Sequence, residues 1–101
     1  MMIIETTEID GVITLCPIKH EDSRGFFSET YNKETLEKNK INIDFVQDNH
    51  SLSKESGVVR GLHFQSEPYA QDKLVRVISG SIFDVAVDLR KKSSTYGKHV
   101  S

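Results

Sequence analysis

The apolar residues of this chain come in short runs broken by turn formers, and that rhythm leaves room for little other than a β-fold. Residues 12–15, 25–31, 45–53, 58–65, 73–79 and 82–89 are rich in β-branched and aromatic side chains and end at Gly, Asn, Asp or Ser. Asp10-Gly11, Arg24-Gly25 and Ser79-Gly80-Ser81 supply the turn signals. The most regular run is 82–89, in which Phe83, Val85, Val87 and Leu89 share one face and Ile82, Asp84, Ala86 and Asp88 the other. The first face predicts core. The second carries two acids and predicts a solvated sheet surface rather than a polar cavity. Ser79-Gly80-Ser81, set between two runs, predicts a tight antiparallel hairpin. Residues 32–40 (NKETLEKNK) open on a capping Asn followed by helix formers, which predicts one short, mostly polar surface helix. The whole predicts an all-β sandwich or barrel.

At 101 residues the chain has the size of a single domain, and no repeat, low-complexity block or linker divides it. A net charge of −2, with 28% charged and 37% hydrophobic residues, fits a folded soluble chain and argues against a general nucleic-acid surface. The longest unbroken apolar run, residues 1–4, is far too short for a membrane span or a signal peptide. The expected location is therefore cytoplasmic. Cys16 is the only cysteine and has no Cys or His at ligand spacing, so it reads as a small half-buried filler.

His63, between Leu62 and Phe64, is the first residue with chemical promise, since a partly desolvated imidazole serves as a general base near neutral pH. A lone strand histidine is more often structural, but this one has company. Arg60 lies three residues before it, Lys73 opens the next run, and Gln47-Asp48-Asn49-His50 forms a polar cluster inside 45–53. Polar residues so dense in strands call for water or a ligand. A metal site of the β-barrel type wants a second His two positions after the first, where Gln65 stands, and His20 and His99 are remote in sequence, so no metal is expected. Arg24 and Glu29 flank Phe26-Phe27, offering a charge, a stacking surface and an acceptor. On this segment alone, a strand with core phenylalanines is the better account. Arg90-Lys91-Lys92 reads as a solvated turn.

Taken together, DSRGFFSETY, FVQDNHSLS, VVRGLHFQ and KLVRVISGSIFDVAVDLRKKSSTYG resemble the dTDP-4-dehydrorhamnose 3,5-epimerase family over nearly the whole chain, in order and with compatible spacing. The resemblance implies a cupin-like jelly roll, of which residues 1–101 are an amino-terminal portion, and a substrate, dTDP-4-dehydro-6-deoxy-D-glucose. The ketone at C4 acidifies the C3 and C5 protons, so the reaction needs a base, a stabiliser for the enolate oxygen and an acid on the opposite face. It needs no cofactor and no metal. By this resemblance His63 is the base and Lys73 the cation beside the enolate. Arg60, Gln47, Asp48 and Asn49 bind the nucleotide-sugar, while Arg24 and Glu29 reach the neighbouring subunit's site in a homodimer.

Family members continue past the position matching Ser101, and that continuation carries the tyrosine acid, the carboxylate that orients the base, a further histidine and the remaining strands. Tyr31, Tyr69 and Tyr96 fall outside the acid position. A chain of this length therefore predicts exposed core faces and unpaired strand edges. Three functions stay open: a 3,5-epimerase or its base-bearing half, a nucleotide-sugar-binding module without turnover, and a dimerisation remnant. Because side chains alternate along a strand, Arg60 and His63 would face opposite sides of a regular ladder. If both meet one ligand, the backbone must be irregular near Gly61.

Overall fold

The computed structural model describes residues 2–101. It is all-β with one short helix, in the order β1 (Met2–Thr6), β2 (Ile13–Pro17), β3 (Lys19–Asp22), β4 (Gly25–Ser28), α1 (Lys33–Lys38), β5 (Ala86–Val87) and β6 (His99–Val100). Three antiparallel ladders join β1 to β2, β3 to β4 and β5 to β6. The chain divides into two compact units, one running to Ile41 and resuming over Val77–Ser101, the other Asn42–Arg76. Among the described residues no helix is long and apolar enough to cross a membrane.

In the first unit the β1–β2 turn closes where Asp10-Gly11 stands. The Val12 amide donates to Ile9 O (3.1 Å), and Gly11 takes φ +89°, a region that a side chain disfavours. The Thr7 hydroxyl accepts from the Ile9 amide (3.2 Å) and donates to Val12 O (2.7 Å), pinning both ends of the turn. Ile9 in this turn and Leu36 of α1 are both buried.

The helix forms as its residues dictate. Asn32 Oδ1 accepts from the Thr35 amide at 3.0 Å, satisfying one of the otherwise unpaired first-turn donors. Lys38 pairs with Glu34 at 2.8 Å one turn away. At the other end Lys40, at φ +63°, donates to Glu37 O while the Ile41 amide donates to Leu36 O, a reversed-hand stop that satisfies two terminal carbonyls.

Several strand expectations are corrected. Residues 25–31 shorten to Gly25–Ser28, residues 82–89 retain only Ala86–Val87, and no ladder passes through 45–53, 58–65 or 73–79. Every residue from 46 to 84 is exposed, with Val46 at 91% and Val59 at 88%. β-branched runs form ladders only when a partner strand supplies the backbone hydrogen bonds, and no described segment does so here. The same cause undoes the Ser79-Gly80-Ser81 hairpin: Gly80 has a turn-like φ of +89°, but no ladder flanks it.

The two faces of 82–89 are also reassigned. Phe83 is 83% exposed and Leu89 48% exposed, whereas Asp88, read as a surface acid, is buried. Its carboxylate accepts from Arg90 Nε (2.9 Å), Ser93 Oγ (2.6 Å) and Thr95 Oγ1 (2.6 Å), and its backbone carbonyl accepts from the Gly97 amide (2.8 Å). Arg90, expected as part of a solvated turn, also donates to Asp10 O at 2.8 Å, tying this loop to the β1–β2 turn.

The Arg90 hydrogen bond first, and then those from Ser93 and Thr95, hold the Asp88 carboxyl far below the ordinary carboxylate range. Because the folded value is depressed, the stabilisation is complete above about pH 4 and declines as acid carries the pH toward the folded value. Asp88→Asn should lower the melting temperature by more than the exposed Asp84→Asn does, and should speed exchange of the Gly97 amide. Thermal melts and amide exchange between neutral pH and strong acid check both; equal melting temperatures would reduce the network to surface decoration.

Candidate active site

The unit Asn42–Arg76 carries six of the eight expected site residues. Lys73 Nζ stands 3.4 Å from His63 Nε2. An ammonium can only donate, so the contact is a hydrogen bond in the tautomer that leaves Nε2 unprotonated, which is also the tautomer a base acting through Nε2 needs. The expectation that Leu62 and Phe64 desolvate the imidazole is corrected, since they are 78% and 70% exposed and His63 itself is exposed.

The irregularity required near Gly61 is present. Gly61 takes φ +96°, and no ladder runs through residues 58–65, so strict alternation no longer forces Arg60 and His63 apart. Arg60 is held by Ser53, whose Oγ accepts from its Nη2 (3.1 Å) and Nε (3.3 Å). With a further, longer contact from Nη2 to Leu52 O (3.5 Å), the guanidinium rests on a hydroxyl and a carbonyl rather than on a carboxylate. Gln47 Nε2 donates to Asn49 Oδ1 at 3.1 Å, so these two side chains orient each other, while Asp48 is exposed beside them. Gln47 also lines a hollow of about 190 Å³ shared by residues 43–47 and 70–72.

In the other unit, Arg24 sits in the β3–β4 turn, where Arg24-Gly25 was a turn signal, and Glu29 follows β4 directly; both are exposed. The Asp22 carboxylate accepts from the Arg24 amide (2.8 Å) and from its Nη2 (2.6 Å) and Nε (3.2 Å). This pairing holds the Asp22 carboxyl below its usual range and raises Arg24. Arg24, Asp22, His20, Phe26 and Phe27 line a hollow of about 250 Å³. Phe26 and Phe27, expected as core, are 63% and 71% exposed, and Lys19 Nζ lies 4.5 Å from the Phe26 ring centre. The Asp22–Arg24 pair escaped the sequence reading, although an acid two residues before an arginine and a glycine was a usable turn signal.

Comparison with known proteins gives these features a context. A family model described as dTDP-4-dehydrorhamnose 3,5-epimerase matches residues 6–101. Proteins of that name from Sinorhizobium fredii and Methanothermobacter thermautotrophicus are 51% and 55% identical to this chain, over 99% and 91% of it and over 51% and 49% of their own lengths. A crystal structure of the Bacillus anthracis dTDP-4-dehydrorhamnose 3,5-epimerase with TDP and PPi bound superposes with a TM-score of 0.95 at 47% identity, covering 99% of this chain and 57% of that one. These relatives are epimerases by name. The chain belongs to the dTDP-4-dehydrorhamnose 3,5-epimerase family, and it spans about half the length of the curated relatives it matches.

Proposed function

We propose that this chain forms the amino-terminal portion of a single jelly-roll domain and carries the base-bearing half of a cytoplasmic 3,5-epimerase. Its substrate is dTDP-4-dehydro-6-deoxy-D-glucose, and its place is in dTDP-L-rhamnose synthesis. The observation that carries the reading is the 3.4 Å contact between Lys73 Nζ and His63 Nε2. As the Lys73 donor turns from His63 Nε2 to the C4 oxygen, the freed Nε2 lone pair takes the proton from C3 and the electron pair moves onto that oxygen; once the imidazolium has passed its proton to water, the same step repeats at C5. The Lys73 ammonium, already beside the base, neutralises the oxyanion that forms. An acid on the opposite face returns a proton to carbon and completes inversion. Arg60 suits the diphosphate oxygens because a planar guanidinium donates two parallel hydrogen bonds, and Gln47, Asp48 and Asn49 hold the remaining polar groups. Arg24 and Glu29 extend to the site of a second copy in a homodimer. No cofactor enters the scheme.

A second reading, binding of the nucleotide-sugar without turnover, draws on a different observation. Every residue from 46 to 84 is exposed, and an oxyanion beside Lys73 in open water gains little from the charge. Proton NMR of the chain with dTDP-4-dehydro-6-deoxy-D-glucose in deuterated buffer separates the two. Loss of the C3 or C5 signal faster than in a protein-free control is the expected result; bound nucleotide-sugar with no exchange would establish the binding module instead.

A further inference from the structure

We infer that Gly61 is a positioning residue for His63, acting through the space its missing side chain leaves. A methyl group built on Gly61 would lie 3.0 Å from His63 Nδ1 and 3.2 Å from the His63 amide nitrogen. The Nδ1 edge of the imidazole thus borders the space where a side chain at 61 would stand, and Nε2 of the same ring is the atom that meets Lys73 at 3.4 Å. The ring lies between the bare Gly61 and the Lys73 ammonium, so filling the space behind Nδ1 displaces Nε2 from that contact. Whether the backbone could instead explain the need for glycine is answered within the same unit. Gly57 has a comparable φ of +81° against +96° at Gly61, yet a methyl group there meets nothing within 4 Å. Alanine at either position adds the same kind of backbone strain, but only at 61 does it add a collision with the imidazole.

The inference rests on His63 being the base, so its test has a readout that does not depend on activity. The 101-residue chain, labelled with nitrogen-15 in histidine, is compared by long-range proton–nitrogen spectra with Gly61→Ala and Gly57→Ala, and the His63 signals are assigned by their loss in His63→Ala. The parent chain should show Nδ1 protonated and Nε2 as acceptor. Gly61→Ala should move the His63 ring signals toward those of Lys73→Ala, in which the donor is absent, while Gly57→Ala leaves them in place. C3 and C5 exchange should fall in Gly61→Ala at unchanged nucleotide affinity, by less than the roughly 10²-fold that a misplacement of about 1 Å costs, since the methyl group asks the ring to give by only a few tenths of an ångström. Unchanged ring signals in Gly61→Ala, or the same shift in Gly57→Ala, would overturn the positioning role. Exchange retained in His63→Ala would overturn the base assignment alone, so the two ideas fail separately.

Discussion

His63→Ala should abolish proton exchange at C3 and C5 of dTDP-4-dehydro-6-deoxy-D-glucose while leaving nucleotide affinity nearly intact. General-base catalysis is worth roughly 10²- to 10⁴-fold, and exchange in deuterated buffer reads the abstraction step alone, without requiring the opposite-face acid. The split between rate and affinity follows from where the groups stand. Arg60 is anchored on Ser53 and Gln47 on Asn49, and neither depends on the imidazole for its place. Truncating His63 therefore removes the proton acceptor without unfastening the polar side chains assigned to binding. Exchange measured by NMR beside nucleotide binding measured by calorimetry checks this, and a His63→Ala chain that still exchanges at the parent rate would strike the histidine from the mechanism.

Lys73→Ala should cost turnover more than affinity, by an amount set by how much water the site admits. Opposite unit charges about 4 Å apart attract by about 1 kcal/mol in bulk water and about 4 kcal/mol at an effective dielectric constant near 20. The loss is thus roughly fivefold for an ammonium as exposed as Lys73 is in this chain, and roughly 10³-fold once the site is covered. The substitution also takes away the donor to His63 Nε2, so the His63 ring signals should shift along with the rate. Equal losses in kcat and in affinity would make Lys73 an anchoring charge for the ground state rather than a stabiliser of the enolate.

The candidate site was legible in part because its residues carry their chemistry in their type and spacing. A histidine between apolar neighbours, with an arginine three residues before it and a lysine ten after, marked His63 and Lys73 as candidates, and the roles proposed for them came from the family resemblance. What could not be read was contact. No pattern in VVRGLHFQ says that the imidazole borders the side-chain space left empty at Gly61 or that its far nitrogen reaches Lys73, because both depend on where the chain turns at φ +96°. Arg24 shows the same limit. Its charge was plain from the sequence, but its chelation by Asp22 is a property of the folded turn.

The errors have one physical source. Period-two patterning records which residues can form a strand, whereas a ladder also needs a neighbour to complete its hydrogen bonds. That is why 12–15 found its place in a hairpin and 45–53, 58–65 and 73–79 did not. Asp88 was misassigned for a related reason: alternation put it on the acidic face, but hydrogen bonds from Arg90, Ser93 and Thr95 offset the burial of its charge. Local sequence determined the helix with its Asn32 cap, the Asp10-Gly11 turn and the β character of the chain, since each is settled by residues within a few positions of one another. The folded structure alone decided which runs pair, which acid is buried and which nitrogen of His63 faces Lys73, because those depend on the path the backbone takes between the groups and not on the type or spacing of the residues.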